Sequence, residues 1–292
     1  MKIALVAVVV LAAAAGALYL RPSVESCPDG VHYSYFSTPG VFDDAYAAIT
    51  STAVNPRPSG LLVNHHLLAA HLIATVLDRG ASDDPLTVVL ISPNHFAAGR
   101  GMAIASTYGW TTPYGLLPAD CGAAGRLAER GVVRIEEGPF EKEHGVSGIV
   151  PFIKKSFPHA RVLPIIVKDT LSPKERVELA NALYEELGPD ALMVGSFDFS
   201  HETTLSKAET QDVQSLAALR VFEYQTLHEF EDSDVIYVDS IPGLEVMLRY
   251  MQKVGATHFE LVANTNSALI TKRPTATDVT SYIVGYFTKV NN

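Results

Sequence analysis

Three apolar runs in this chain are each followed at once by a histidine. Leu61-Leu62-Val63-Asn64 leads into His65-His66, TVVLIS (Thr87 to Ser92) into Pro93-Asn94-His95, and ALMVGS (Ala191 to Ser196) into Phe197-Asp198-Phe199-Ser200-His201. Imidazole is the commonest metal-binding side chain and ligates in its neutral form. A ligating histidine usually gives its other N–H to a carboxylate or carbonyl. Asp198 is placed to give that support, or to orient His201. A lone histidine at a strand end is more often an ordinary hydrogen-bonded loop residue. Three at equivalent positions, after runs that read as strands of one sheet, converge on one edge and predict a joint pocket. Glu143-His144, just before an apolar helical stretch, is a fourth candidate, because a helix N-terminus disfavours the charged imidazolium. A plain loop pair is the other reading there. His71, His159, His228 and His258 read as surface or helix residues and receive no role.

The elements that must position these residues alternate. TVVLIS is a continuous β-branched run, as a strand buried on both faces should be. MAIAS, RVLPIIV, FELVAN and SYIVGYF are further strand candidates. Helical stretches run from Asp43 to Thr52, from His66 to Leu77, from Cys121 to Arg130 and from Ser147 to Phe157, the last with Ser147 as its cap. Ser172 caps a helix that opens with Pro173 and stops at Gly188-Pro189. A long helix is expected over Ser206 to Phe230, and another ends at Gly255. Strands alternating with helices predict an α/β fold: a single three-layer domain whose mainly parallel central sheet is flanked by helices. Ligands of such sheets sit beyond the carboxyl ends of the strands, which is where the histidines fall.

The chain has 292 residues and a net charge of −10, with no run of Lys or Arg. Nucleic-acid binders need a positive field to neutralise phosphates, so no nucleic-acid partner is expected. Two cysteines, Cys27 and Cys121, exclude a cysteine zinc site and a disulfide framework. One disulfide between them is open in principle but not favoured, because Cys27 lies in what reads as a linker. P-loop, dinucleotide and G-x-S-x-G motifs are absent, and Ser196 in VGSFDF lacks the second glycine of a serine-hydrolase elbow.

Residues 1–21 read as a separate object. Ile3 to Leu20 is an uncharged run whose eighteen residues would make a helix of about 27 Å, near the roughly 30 Å of a bilayer core. It is either a signal peptide cut near Ala15-Gly16-Ala17 or an uncleaved anchor. Leu18, Tyr19 and Leu20 continue past the cut, which favours the anchor. Either reading exports the remainder. The expected organisation is an anchor or signal at 1–21, a linker at 22–42 and one α/β domain at 43–292.

Taken together, the motifs resemble the Memo-like family, also called AmmeMemoRadiSam system protein B, over roughly residues 60 to 287. VNHHLLAA resembles its strand-then-P-H opening, with Asn64 where proline is usual. LISPNHF resembles G-P-S-H, with Ser92 for glycine. TTPYGLLPAD, EHGVSGIVPFIKKSFP, VGSFDFSH and DVTSYIVGYF resemble four further segments, in order. The family resembles class III extradiol dioxygenases in fold, which hold Fe(II) with two histidines and a carboxylate. That resemblance implies His65 and His95 as metal ligands, His201 as acid or base, and His144 as a further pocket histidine. Many relatives carry a cysteine as third ligand. Here the matching stretch is Val238 to Leu244, and Asp239 is the nearest equivalent; a cap for the following helix is the other reading, and the two are not exclusive. Gly148, or a neighbour, stands where a glutamate is usual, which puts a full proton relay in doubt.

The resemblance implies a divalent metal, iron or copper ahead of zinc. Three functional forms follow: a metal-dependent oxidoreductase of dioxygenase type acting on a small molecule, a metal-binding or interaction module without turnover, and a hydrolase using zinc-activated water. The family name also implies radical-SAM and AMMECR-like partners, from which export would separate this chain.

Overall fold

The computed structural model describes residues 27–49 and 53–289. The apolar run at 1–21 lies outside them. Among the described residues no helix is long and apolar enough to cross a membrane. The longest, Leu205–Val221, carries Lys207, Glu209, Asp212 and Arg220. The expectation of a membrane-anchored, exported domain is corrected on that finding: no helix among the described residues supplies an anchor.

In chain order the elements are β1 (Val31–Tyr33), α1 (Gly40–Ala47), β2 (Gly60–Val63), α2 (Ala70–Arg79), β3 (Thr87–Pro93), β4 (Ala103–Ala105), β5 (Gly109–Thr112), β6 (Gly115–Leu117), α3 (Cys121–Glu129), β7 (Arg134–Ile135), α4 (His144–Ser147), α5 (Val150–Ser156), β8 (Arg161–Val167), α6 (Pro173–Leu187), β9 (Leu192–Ser196), β10 (Phe199–Thr203), α7 (Leu205–Val221), α8 (Tyr224–Glu231), α9 (Ile241–Val254), β11 (His258–Asn266), α10 (Ser267–Ile270) and β12 (Val279–Thr288). The main sheet runs β10-β12-β2-β9-β3-β8-β4-β7, with β11 also paired to β12. Its centre, β2-β9-β3-β8, is parallel. Its flanks are mixed: β12 is antiparallel to β2, β10 and β11, and β4 is antiparallel to β8. A smaller sheet joins β1, β5 and β6.

The two-residue period of a strand sends side chains to both layers. Val89 and Ile91 of β3 pack with Leu127, Leu183 and Met247 on the face covered by α3, α6 and α9. Val88 and Leu90 pack with Ile73, Leu77 and Phe152 on the face covered by α2 and α5. Each aliphatic side chain so buried contributes about 1.5–3 kcal/mol relative to exposure, which is why these unbroken apolar runs hold the sheet centre. Ser172 and Glu175 form a reciprocal capping box, with Pro173 in the first turn of α6.

Four expectations are revised. The helix over 206–230 breaks into α7 and α8, because Phe222 adopts φ 57° and packs against Phe287 in the core. Ser147 ends α4 rather than capping α5, whose N-cap is Ile149. Residues 27–42, read as linker, contain β1, which pairs with β5, and the start of α1. Cys27 and Cys121 form a disulfide with Cα atoms 5.6 Å apart. The chain from residue 27 runs back over the domain, which brings Cys27 to the first turn of α3.

Candidate metal centre

The parallel strands β2, β9 and β3 lie side by side, so their carboxyl ends open on one place. His65 follows β2 by two residues and His95 follows β3 by two. Phe197-Asp198 links β9 to β10, and His201 lies within β10. Asp239 precedes α9 and is tied to this turn by its backbone: its N–H donates to the Asp198 carbonyl at 3.0 Å, and Asp198 N–H donates to Asp239 Oδ2 at 3.0 Å. The ring centroids of His65 and His95 are 4.8 Å apart, and His144, at the start of α4, stands 4.1 Å from His95 and 5.2 Å from His65. The cavity over these groups has a volume of about 730 Å³ and also meets His66, Asp198 and His201. A cavity of about 450 Å³ near Arg57 and Asp84, at the amino ends of β3 and β9, contains no histidine.

Hydrogen bonds decide what each ring can offer. Ser196 Oγ donates to the Gly145 carbonyl at 2.7 Å, so it must accept from His65 Nδ1, 3.3 Å away. That leaves the His65 Nε2 lone pair facing Asp239 Oδ2 at 3.2 Å and Asp198 Oδ2 at 3.7 Å. His95 Nδ1 meets Glu143 Oε1 at 2.6 Å, and the other Glu143 oxygen accepts His95 N–H at 3.0 Å. Its Nε2 therefore points to Asp239 Oδ2, at 3.8 Å. Asp239 Oδ1 is buried without a hydrogen-bond partner.

The donor set fits a cation. A lone pair and carboxylate oxygens face one another, and only a proton or a metal between them relieves the repulsion. Ligand atoms bound at about 2.0–2.2 Å sit roughly 3–3.4 Å apart, close to the observed spacings. Both histidines have the outer support through Nδ1 that metal-ligating imidazoles have. His65, His95 and His144 also form a group able to hold a metal, each offering a ring nitrogen within 4.8 Å of the others.

Protonation follows the same geometry. Burial pushes His65 well below the usual histidine range, and the neighbouring His95 charge adds to this. Burial also lowers His95, but the Asp239 and Glu143 carboxylates outweigh it and raise it to about 10. Burial raises Asp239 to about 7. The metal-free centre thus keeps a proton on His95 between two carboxylates. Burial lowers His144 and His201 and raises Asp198.

A family model, Memo-like protein, matches residues 64–289. The chain belongs to the Memo-like family. Curated relatives include MEMO1 family proteins of Caldivirga maquilingensis, 26% identical over 75% of this chain and 76% of the relative, and of Nitrosopumilus maritimus, 24% identical over 70% and 74%. A solved structure of an uncharacterized Escherichia coli K12 protein superposes with a TM-score of 0.46 at 13% identity, covering 78% of this chain and 100% of that one.

Of the six site residues expected in this Memo-like chain, His65, His95, Asp239 and Asp198 meet at the strand ends. His144 joins the histidine group rather than standing apart from it. His201 lines the same cavity, and its Nε2 is buried without a partner. Sequence reasoning missed the roles of Glu143 and Ser196, the two side chains that orient the histidines. The Glu143-His144 pair held a signal, since Glu143 is both the α4 N-cap and fully buried. Gly145 is required by close approach: a Cβ there would lie 2.1 Å from Ser92 Oγ.

Proposed function

We propose that this Memo-like protein is a metal-dependent oxidoreductase of dioxygenase type, with His65, His95 and Asp239 as ligands of one divalent metal. The observation that carries the reading is the convergence of two supported Nε2 atoms on a buried carboxylate with an unpartnered oxygen. Two histidines and one carboxylate suit non-haem iron, with copper as the next choice. Such a metal supplies redox chemistry and activation of a bound small molecule and O₂.

The protein's own groups do the rest. Glu143 and Ser196 fix the imidazole rings. Asp239 brings negative charge that offsets the cation. His201, neutral and with Nε2 free, accepts a proton from a substrate hydroxyl. Asp198 takes the His65 backbone N–H at 3.0 Å and sets its Oδ2 3.7 Å from His65 Nε2. His144, 40% exposed at its side chain, exchanges protons with solvent at the mouth. Leu67, Leu68 and Phe96 line the cavity and offer a substrate an apolar surface.

The test is metal content by mass spectrometry in the whole chain and in His65→Ala, His95→Ala, Asp239→Ala and His144→Ala. About one equivalent of iron or copper, lost in the first three variants and kept in the fourth, supports the reading. Absence of metal after anaerobic Fe(II) loading sinks it. A second reading, a hydrolase with zinc-bound water, is favoured by the three-histidine group alone. It predicts zinc, lost in His144→Ala and kept in Asp239→Ala.

A further inference from the structure

Residues 27–36 run along the edge of the domain as a strap that reaches the rim of the histidine pocket at Tyr35 and Phe36. The Cys27–Cys121 disulfide fastens its start to α3. β1 pairs in parallel with β5. Ser34 N–H then donates to the Thr111 carbonyl at 3.0 Å, and Tyr35 N–H to the Ser147 carbonyl at 2.9 Å. His32 is buried beneath, its ring 4.9 Å from Trp110 and its Nε2 2.8 Å from Glu137 Oε2. Ser106 Oγ lies 3.2 Å from the same Nε2. One nitrogen serves both partners, so this Ser-His-Glu cluster is an anchor and not a relay.

Past the anchor, Tyr35 and Phe36 line the cavity together with Leu68 and Phe96. Tyr35 is 61% exposed and Phe96 57%. Large apolar side chains left in water around a cavity mark a surface that a ligand covers. The strap lies outside the stretch that matches the family model, so the family relation does not account for it.

We propose that Tyr35 and Phe36 are specificity-determining residues that favour ligands with a flat apolar body, and that the Cys27–Cys121 disulfide holds them in place. The proposal rests on the pocket being the binding site described above. A dithiol reductant would pass two electrons to the disulfide, which takes up two protons to give two thiols while the dithiol closes to its own disulfide. The strap would then be held by β1, His32 and α1 alone.

The first arm of the test needs no metal. Metal-free protein is treated with diethylpyrocarbonate, and modification of His144 is followed by peptide mass spectrometry against His258, an exposed reference at the start of β11. The double variant Tyr35→Ala/Phe36→Ala should raise the His144 rate at least threefold relative to His258. Dithiothreitol, or Cys27→Ser, should do the same. An unchanged rate in the double variant overturns the wall. A raised rate there, without one on reduction, overturns the part assigned to the disulfide. If Cys27→Ser does not fold, reduction of the wild type decides that part. The second arm uses Co(II)-loaded protein and compares imidazole with 4-phenylimidazole by visible titration. The wild-type preference for the phenyl compound should fall at least fivefold in the double variant, and an unchanged preference overturns the selectivity. Failure to load Co(II) counts against the metal reading and leaves the labelling arm to decide the strap.

Discussion

Glu245 and Asp239 are both carboxylates withdrawn from water, and their surroundings are opposite. Glu245, fully buried on α9, accepts from Arg176 Nη1 at 2.9 Å, Arg249 Nε at 2.7 Å and His228 Nε2 at 3.0 Å. Burial pushes its pKa up, but those donors outweigh it and the net shift is down. Arg176 is satisfied in turn, by Glu231 and by the Leu171 carbonyl. Asp239 receives one backbone N–H, faces the lone-pair side of His65, keeps Oδ1 unpartnered, and is raised to about 7. A carboxylate matched by donors is part of the framework. One held against lone pairs is poised for a cation. The distinction lies in the direction of the donors around each group, since both clusters contain histidine and both are buried.

The largest effect should come from breaking the matched cluster. Arg176→Met removes one partner of a buried pair and leaves Glu245 with a smaller set of donors. Loss of one partner typically costs about 3–5 kcal/mol, and a fall of that size in urea unfolding is expected, with metal content per folded molecule unchanged. A loss below about 1 kcal/mol would mean that Glu245 is not charge-matched as described. Glu143→Gln acts on the other cluster. It weakens the hold on His95 Nδ1, and loss of such outer support lowers metal affinity about 10–100-fold. Competition with a chelator measures this, and an unchanged affinity would remove Glu143 from the site.

Metal binding should also release protons, because a ligand must give up its proton to coordinate. His95 is raised to about 10 in the metal-free centre. Between pH 7 and 9 the apparent affinity should therefore rise about tenfold per unit. Calorimetry in buffers of different ionisation enthalpy should report a proton released at pH 7.5. Zero release would mean that His95 keeps its proton and is not a ligand.

How much of this was legible depended on where each group sits in the sheet. β2, β3 and β9 are unbroken apolar runs because both faces are covered, so their ends, and the placing of His65 and His95, could be read directly. Asp239 was reached only through family resemblance: it lies before α9, and a backbone bridge to Asp198 brings it in, which no local pattern reveals. Glu143 read as half of a loop pair because its burial depends on α4 pressing against the end of β3 through Gly145. The strap was illegible for a different reason. A strand of three residues such as β1 has no periodicity to detect, and the polar, Pro-containing stretch before it reads as linker. The pairing of Cys27 with Cys121 depends on that same unread path.

The smallest expected effect separates the two carboxylates most directly. Asp239→Asn in metal-free protein should leave stability at pH 7 unchanged or slightly higher, whereas Glu245→Gln should lower it. The sign follows from linkage. The folded pKa of Asp239, about 7, lies above the ordinary carboxyl value of 3.8, so the folded state holds this proton more tightly than the unfolded chain does. Below pH 3.8 both states are protonated and the group contributes nothing; as pH rises toward 7 the unfolded chain ionises first and stability is lost. His95 adds a second decline in the same direction, since its stabilising contribution, complete below the ordinary imidazole value of 6.5, is lost as pH rises toward about 10. The difference in thermal stability between metal-free wild type and Asp239→Asn, which isolates these two contributions from the other titrating groups, should therefore move against the wild type with rising pH across both windows. Asp239→Asn should flatten the first and shrink the second, because His95 loses one of the two carboxylates that raise it. A wild-type profile that instead climbs from pH 4 to 7 in step with the variant would show Asp239 ionised and matched like Glu245, and the contrast between the two clusters would fail at its source.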